Sequence, residues 1–70
     1  GEDVKEALME ALSSNLWYIR KNAANALLEY GLTREENEEL LHAEDTYARE
    51  MFGYVLELRN QKIINRGEGA

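Results

Sequence analysis

The 70-residue sequence has no cysteine and no proline, and only one histidine, one tryptophan and one phenylalanine. Without cysteine there is no disulfide framework, no thiolate metal site, no iron–sulfur cluster and no thiol nucleophile. Cations are also scarce: 8 Lys+Arg stand against 14 Asp+Glu, a formal charge of -6 with a pI near 4.7. Nucleic-acid binding draws most of its affinity from clustered cations, so a phosphate-tracking role is not expected. Long apolar runs are missing too, so neither a membrane span nor a signal-peptide core is expected. What these absences leave is a small acidic soluble domain of a reducing compartment, placed in the cytoplasm. At this length the core and the stability margin are both modest.

What is present has a helical period throughout. Gly1 reads as a tag remnant and 67–70 as a frayed tail, which leaves 2–66 as the domain. Val4, Leu8, Ala11 and Leu12 follow i, i+4, i+7, i+8 spacing, with Lys5, Glu6 and Glu10 on the other side. Glu2 and Asp3 suit the start of this first helix, and Ser13-Ser14-Asn15 stops it. A second helix over about 16–30 carries two apolar stripes. The main one is Leu16, Ile19, Ala23, Ala26, Leu27 and Tyr30, and the second is Trp17, Ala24 and Leu28. Two stripes predict a helix sandwiched between neighbours, and Gly31 stands where a left-handed C-cap is expected. Thr33 and Glu36 have the spacing of a capping box for a short polar helix over about 34–43, anchored by Leu40 and Leu41. Asp45 is the expected N-cap of a fourth helix over about 46–64, with Ala48, Phe52, Val55 and Ile63 on one face and Tyr47, Met51, Tyr54 and Leu58 on another. Gly53 inside that helix predicts a close helix contact. No alternating run or hairpin dipeptide competes.

Shifting the chain by 29 residues aligns Glu6 with Glu35, Glu10 with Glu39, Leu12 with Leu41, Tyr18 with Tyr47, Arg20 with Arg49 and Leu27 with Leu56. The register superposes helix on helix and turn on turn, as expected for two helix–turn–helix hairpins that cannot bury their apolar faces singly. The segment Leu16-Trp17-Tyr18-Ile19-Arg20-Lys21-Asn22-Ala23-Ala24-Asn25-Ala26-Leu27 resembles the V-R-x-x-A-A-x-A-L helix of HEAT repeats, in particular the short bacterial kind related to phycobilisome-lyase repeats. Asp45-Thr46-Tyr47-Ala48-Arg49-Glu50-Met51-Phe52-Gly53-Tyr54-Val55-Leu56 resembles a diverged second copy, with Phe52 and Gly53 where paired alanines are usual. The likeness covers 3–58. It implies an all-α fold of two antiparallel helical hairpins, stacked as a short right-handed α-solenoid of about two repeats. It also implies that the repeat arginines pair with an acidic group in a turn, which for Arg49 means Glu44 or Asp45, while Arg20 has only Ser14 and Asn15 nearby. Family members occur as tails of larger bacterial proteins, some near membranes, so the chain is expected to be the C-terminal portion of such a protein.

Candidate chemistry is sparse. His42, with Glu44 and Asp45 beyond it, lacks the further ligands a metal site needs and reads as a surface histidine at a helix end. Glu35, Glu36, Glu38 and Glu39 lie in a helix instead of an alternating cation-binding loop and read as a solvated face. Ser13, Ser14, Thr33 and Thr46 sit at helix ends, where hydroxyls cap backbone groups, with no nucleophile elbow among them. Arg59, Lys62 and Arg66 read as cations suited to the last turns of a helix. Neither a catalytic residue nor a metal or cofactor is expected.

Trp17, Tyr18, Arg20, Lys21, Tyr47 and Tyr54 form the candidate interaction surface, because aromatics and arginine are enriched where interfaces derive their energy. The same residues also suit packing between hairpins with the hydroxyls in water. The functional expectation is a non-catalytic protein-interaction or scaffolding module, with self-association through the second apolar stripe as a further outcome. Two alternatives stand beside it: an accessory or lyase-type module cradling a small ligand, and an end-cap covering upstream repeats.

Overall fold

The computed structural model describes the backbone of residues 2–69 and the side chains of residues 3–61. Four helices and no strand occur among the described residues: α1 Glu2–Ala11, α2 Trp17–Tyr30, α3 Arg34–Leu41 and α4 Thr46–Gly69. Each boundary has a local chemical cause. After α1, the N–H groups of Leu12, Ser13 and Ser14 each reach back three residues, tightening the chain into a turn. Leu16 occupies the N-cap of α2, and its own N–H donates to Ser14 Oγ at 3.2 Å.

At the far end of α2, Gly31 takes φ 104° and donates its N–H to the Leu27 carbonyl at 3.0 Å. Its ψ of 121° lies outside the left-handed helical basin, but the positive φ is still one that favours glycine. The α3 capping box forms as its spacing predicts. Glu36 N–H donates to Thr33 Oγ1 at 3.1 Å, and Thr33 N–H donates to Glu36 Oε1 at 2.8 Å. Asp45 caps α4, accepting from Tyr47 N–H at 3.0 Å through Oδ1. α3 stops at Leu41, two residues short of its expected end. α4 continues past 64 to Gly69, so residues 67–69, set aside as a frayed tail, belong to the helix.

The core comprises Leu12, Ala23, Ala24, Leu27, Leu40, Ala48, Phe52 and Val55. α2 packs against α1 and α4, and α4 against α2 and α3. Ala23 and Ala24, one from each expected stripe of α2, are both buried, which fits a helix with neighbours on two sides. The ends of those stripes behave differently: Leu16, Trp17 and Tyr30 are all about half exposed or more. On α4, Ala48, Phe52 and Val55 face the core as expected, while the Ile63 side chain lies outside the described residues. The other expected face is not packed as a unit, since Tyr47 and Tyr54 are exposed beside half-buried Met51 and Leu58.

Phe52, which stands 29 residues after Ala23, is fully buried and is among the largest of the wholly enclosed side chains. The second copy therefore departs from a paired-alanine pattern by filling the core with one ring. Gly53 departs in the other direction. A Cβ built there meets no neighbouring atom within 4 Å, so the close helix contact expected at this glycine is absent.

Candidate interaction surface

Two of the six surface candidates are cations, and each is held by an aromatic ring. Arg20 Nη1 donates to the Ser14 carbonyl at 2.6 Å, and the guanidinium carbon lies 4.3 Å from the centroid of Tyr47. Lys21 Nζ lies 5.9 Å from the centroid of the Trp17 ring, one helical turn before it. Both cations are half-buried, whereas Trp17, Tyr18, Tyr47 and Tyr54 are exposed, with Trp17 at 60%. The structure thus joins Arg20 to Tyr47 and Lys21 to Trp17. Tyr18 and Tyr54 enter no hydrogen bond or ring contact among the described residues.

Arg49 repeats the Arg20 arrangement 29 residues later. Its Nη1 donates to the Ala43 carbonyl at 2.6 Å, as Arg20 does to Ser14. The turn bond before it repeats as well: Ser14 N–H donates to the Ala11 carbonyl, and Ala43 N–H to the Leu40 carbonyl. An ion pair between Arg49 and Glu44 or Asp45 was the expectation, but the arginine goes to the main chain and the Asp45 carboxylate to the helix cap. The reason is geometric. A carboxylate at the N-cap is already aimed at the N–H of Tyr47, while the turn carbonyl is free to accept.

Two long-range ties were not legible in the sequence. Lys5 Nζ donates to both Glu36 oxygens at 3.0 and 3.1 Å and lies 5.7 Å from the centroid of Tyr30. One ammonium thus touches the start of α3 and the end of α2 from α1. The hydrogen bonds from Thr33 and Lys5 hold the Glu36 carboxyl below its ordinary 4.5, against a smaller opposing effect of burial. The second tie is Arg59, assigned from sequence only to a basic helix end. It donates to Asn25 Oδ1 at 2.9 and 3.2 Å, to the Asn25 carbonyl at 3.3 Å and to Glu29 at 3.4 Å. The side chains of Lys62 and Arg66 lie outside the described residues. These contacts span 31 and 34 residues, and no local spacing rule could find them.

Between α2 and α4 lies a groove of ≈ 490 Å³ lined by Lys21, Asn25, Glu29, Val55, Leu58 and Arg59. His42 is exposed, with Nε2 3.5 Å from Glu38 one turn earlier. Among the described residues no group of three or more His, Cys, Asp or Glu is placed to hold a metal ion, and no helix is long and apolar enough to cross a membrane.

No family model, curated protein or solved structure matches the chain.

Proposed function

We propose that the chain is a non-catalytic protein-interaction or scaffolding module. In this reading it is built as two antiparallel helical hairpins stacked in a short right-handed α-solenoid of the HEAT-repeat type. The observation that carries the functional reading is the exposed aromatic set, Trp17, Tyr18, Tyr47 and Tyr54, on the two helices that also supply Ala23, Ala24, Leu27, Ala48, Phe52 and Val55 to the core. Exposed tyrosine and tryptophan on a rigid scaffold offer large contact area with little side-chain entropy to lose.

Several contacts support the stacked arrangement. The start of α1 meets the end of α2 through Lys5 and Tyr30, as in an antiparallel pair. Along α2 and α4, Arg20 meets Tyr47 near the two starts, and Asn25 meets Arg59 farther on, as in equivalent helices running the same way. The Arg20 and Arg49 bonds to turn carbonyls are repeat-equivalent.

The test is affinity capture from extract of the source cells, with the wild type and with Trp17→Ala and Tyr54→Ala variants that melt like it. A partner held by the wild type and lost by either variant is the expected result. Equal recovery by all three chains, or no partner at all, would overturn the reading.

The groove between α2 and α4 favours a second reading, a small-ligand cradle. Lys21 lies over Trp17 and lines the groove, so a ligand there would change Trp17 fluorescence and raise the melting temperature. A ligand screen that moves neither signal removes this reading.

A further inference from the structure

Tyr47, Glu50, Tyr54, Glu57 and Gln61 recur at i, i+3, i+7, i+10 and i+14 along α4, and all five are exposed. At 100° per residue they fall within one narrow strip, about 21 Å long at 1.5 Å per residue. Its first four members alternate aromatic ring and carboxylate, Gln61 ends it, and none of the five is a cation. Within it Tyr47 already carries a guanidinium, that of Arg20 at 4.3 Å. Two turns on, Tyr54 offers the same kind of ring with a carboxylate on either side, Glu50 one turn before and Glu57 one turn after. None of these three has a hydrogen bond, ion pair or ring contact among the described residues.

We propose that this strip, centred on Tyr54 between Glu50 and Glu57, is a docking site for an arginine-bearing basic segment of a partner protein. This rests on the interaction-module reading and names the chemistry of the partner. A guanidinium over the Tyr54 ring would repeat the Arg20–Tyr47 contact, and the flanking carboxylates would accept its hydrogen bonds where Arg20 has a main-chain carbonyl. A second copy of the chain suits the strip poorly. Two such strips face to face bring Glu50 and Glu57 against their own copies, with only Arg20, already engaged by Tyr47 and Ser14, at one end to offset them.

The probe is a fluorescein-labelled eight-residue arginine peptide, titrated into the full chain, with the eight-residue lysine peptide as comparison. Saturable one-to-one binding is expected. It should weaken about fivefold with Tyr54→Ala and about fivefold with the Glu50→Gln/Glu57→Gln pair. The Glu35→Gln/Glu39→Gln pair removes the same charge from α3 and should change binding less than about twofold. The lysine peptide should bind more weakly, because its ammonium cannot stack flat on the face of the ring.

Equal losses from the two glutamine pairs would mean attraction to net charge alone, and would overturn the site. So would no saturable binding, or a dimer in sedimentation that Tyr54→Ala dissolves. A partner captured through Trp17 that carries no basic segment would overturn the arginine site and leave the interaction-module reading standing.

Discussion

The guanidinium of Arg20 is held between the Ser14 carbonyl, 2.6 Å away, and the ring of Tyr47, 4.3 Å from its centroid. One side chain thereby fixes the turn before its own helix and the first turn of α4. Arg49 makes the same main-chain bond, but no ring contact to it is present among the described residues, and it is more exposed.

Removing Arg20 should therefore cost more than removing Arg49. Arg20→Ala is expected to destabilise the chain by about 2 kcal/mol, the sum of a charge-assisted hydrogen bond and a cation–π contact. Arg49→Ala should cost about half as much. Urea unfolding of both variants measures the difference, and equal losses would mean that the Tyr47 ring contributes nothing.

The two described glycines with opposite roles give opposite expectations. Gly53 is helical with open space where a Cβ would go, so Gly53→Ala should stabilise by about 0.5–1 kcal/mol. Gly31 has φ 104°, and Gly31→Ala should destabilise by about 1 kcal/mol or more. A thermal melt that moves the same way for both would contradict this account.

Phe52 is the largest commitment of the core. Phe52→Ala should cost about 3–5 kcal/mol, a large share of what a chain of this size can spare. Circular dichroism at 25 °C is expected to find a partly unfolded population. Full helicity with an unchanged melting temperature would mean that the ring is not enclosed in solution.

Acid should release Glu36. Its carboxyl is held below the ordinary value by Thr33 and Lys5, so the folded state binds this proton less readily than the unfolded chain. The stabilisation is thus complete above the ordinary glutamate range and is lost as pH falls through the lowered folded value. Between about pH 7 and about pH 3 the wild type should lose more stability than Glu36→Gln, which has no such proton to bind. Parallel declines in urea midpoint for the two chains would exclude this contribution.

What the sequence made legible was local. Thr33 with Glu36, Asp45 before α4, the Gly31 stop and the buried face of Ala48, Phe52 and Val55 all depend on residues within a turn or two of one another. Arg59 on Asn25 and Lys5 on Glu36 depend on where whole helices come to rest, which local spacing does not encode. Gly53 misled for a related reason. A glycine in a helix signals either close approach or mere tolerance, and only the packing separates the two. Likewise, apolar spacing marks Tyr47 and Tyr54 as a possible packing face, although amphipathic rings sit equally well with an edge in water.

The choice of acceptor by the two arginines bears on which positions can change. A main-chain oxygen is offered by every amino acid, and the two acceptors are indeed unlike, a serine at 14 and an alanine at 43. The requirement for a long planar donor falls on positions 20 and 49 alone. The arginines place no demand on the side chains at 14 and 43. What limits those positions is the Leu16 N–H bond to Ser14 Oγ and the packing of Ala43 on the core, so substitutions that respect these should leave far more folded chains than randomising 20.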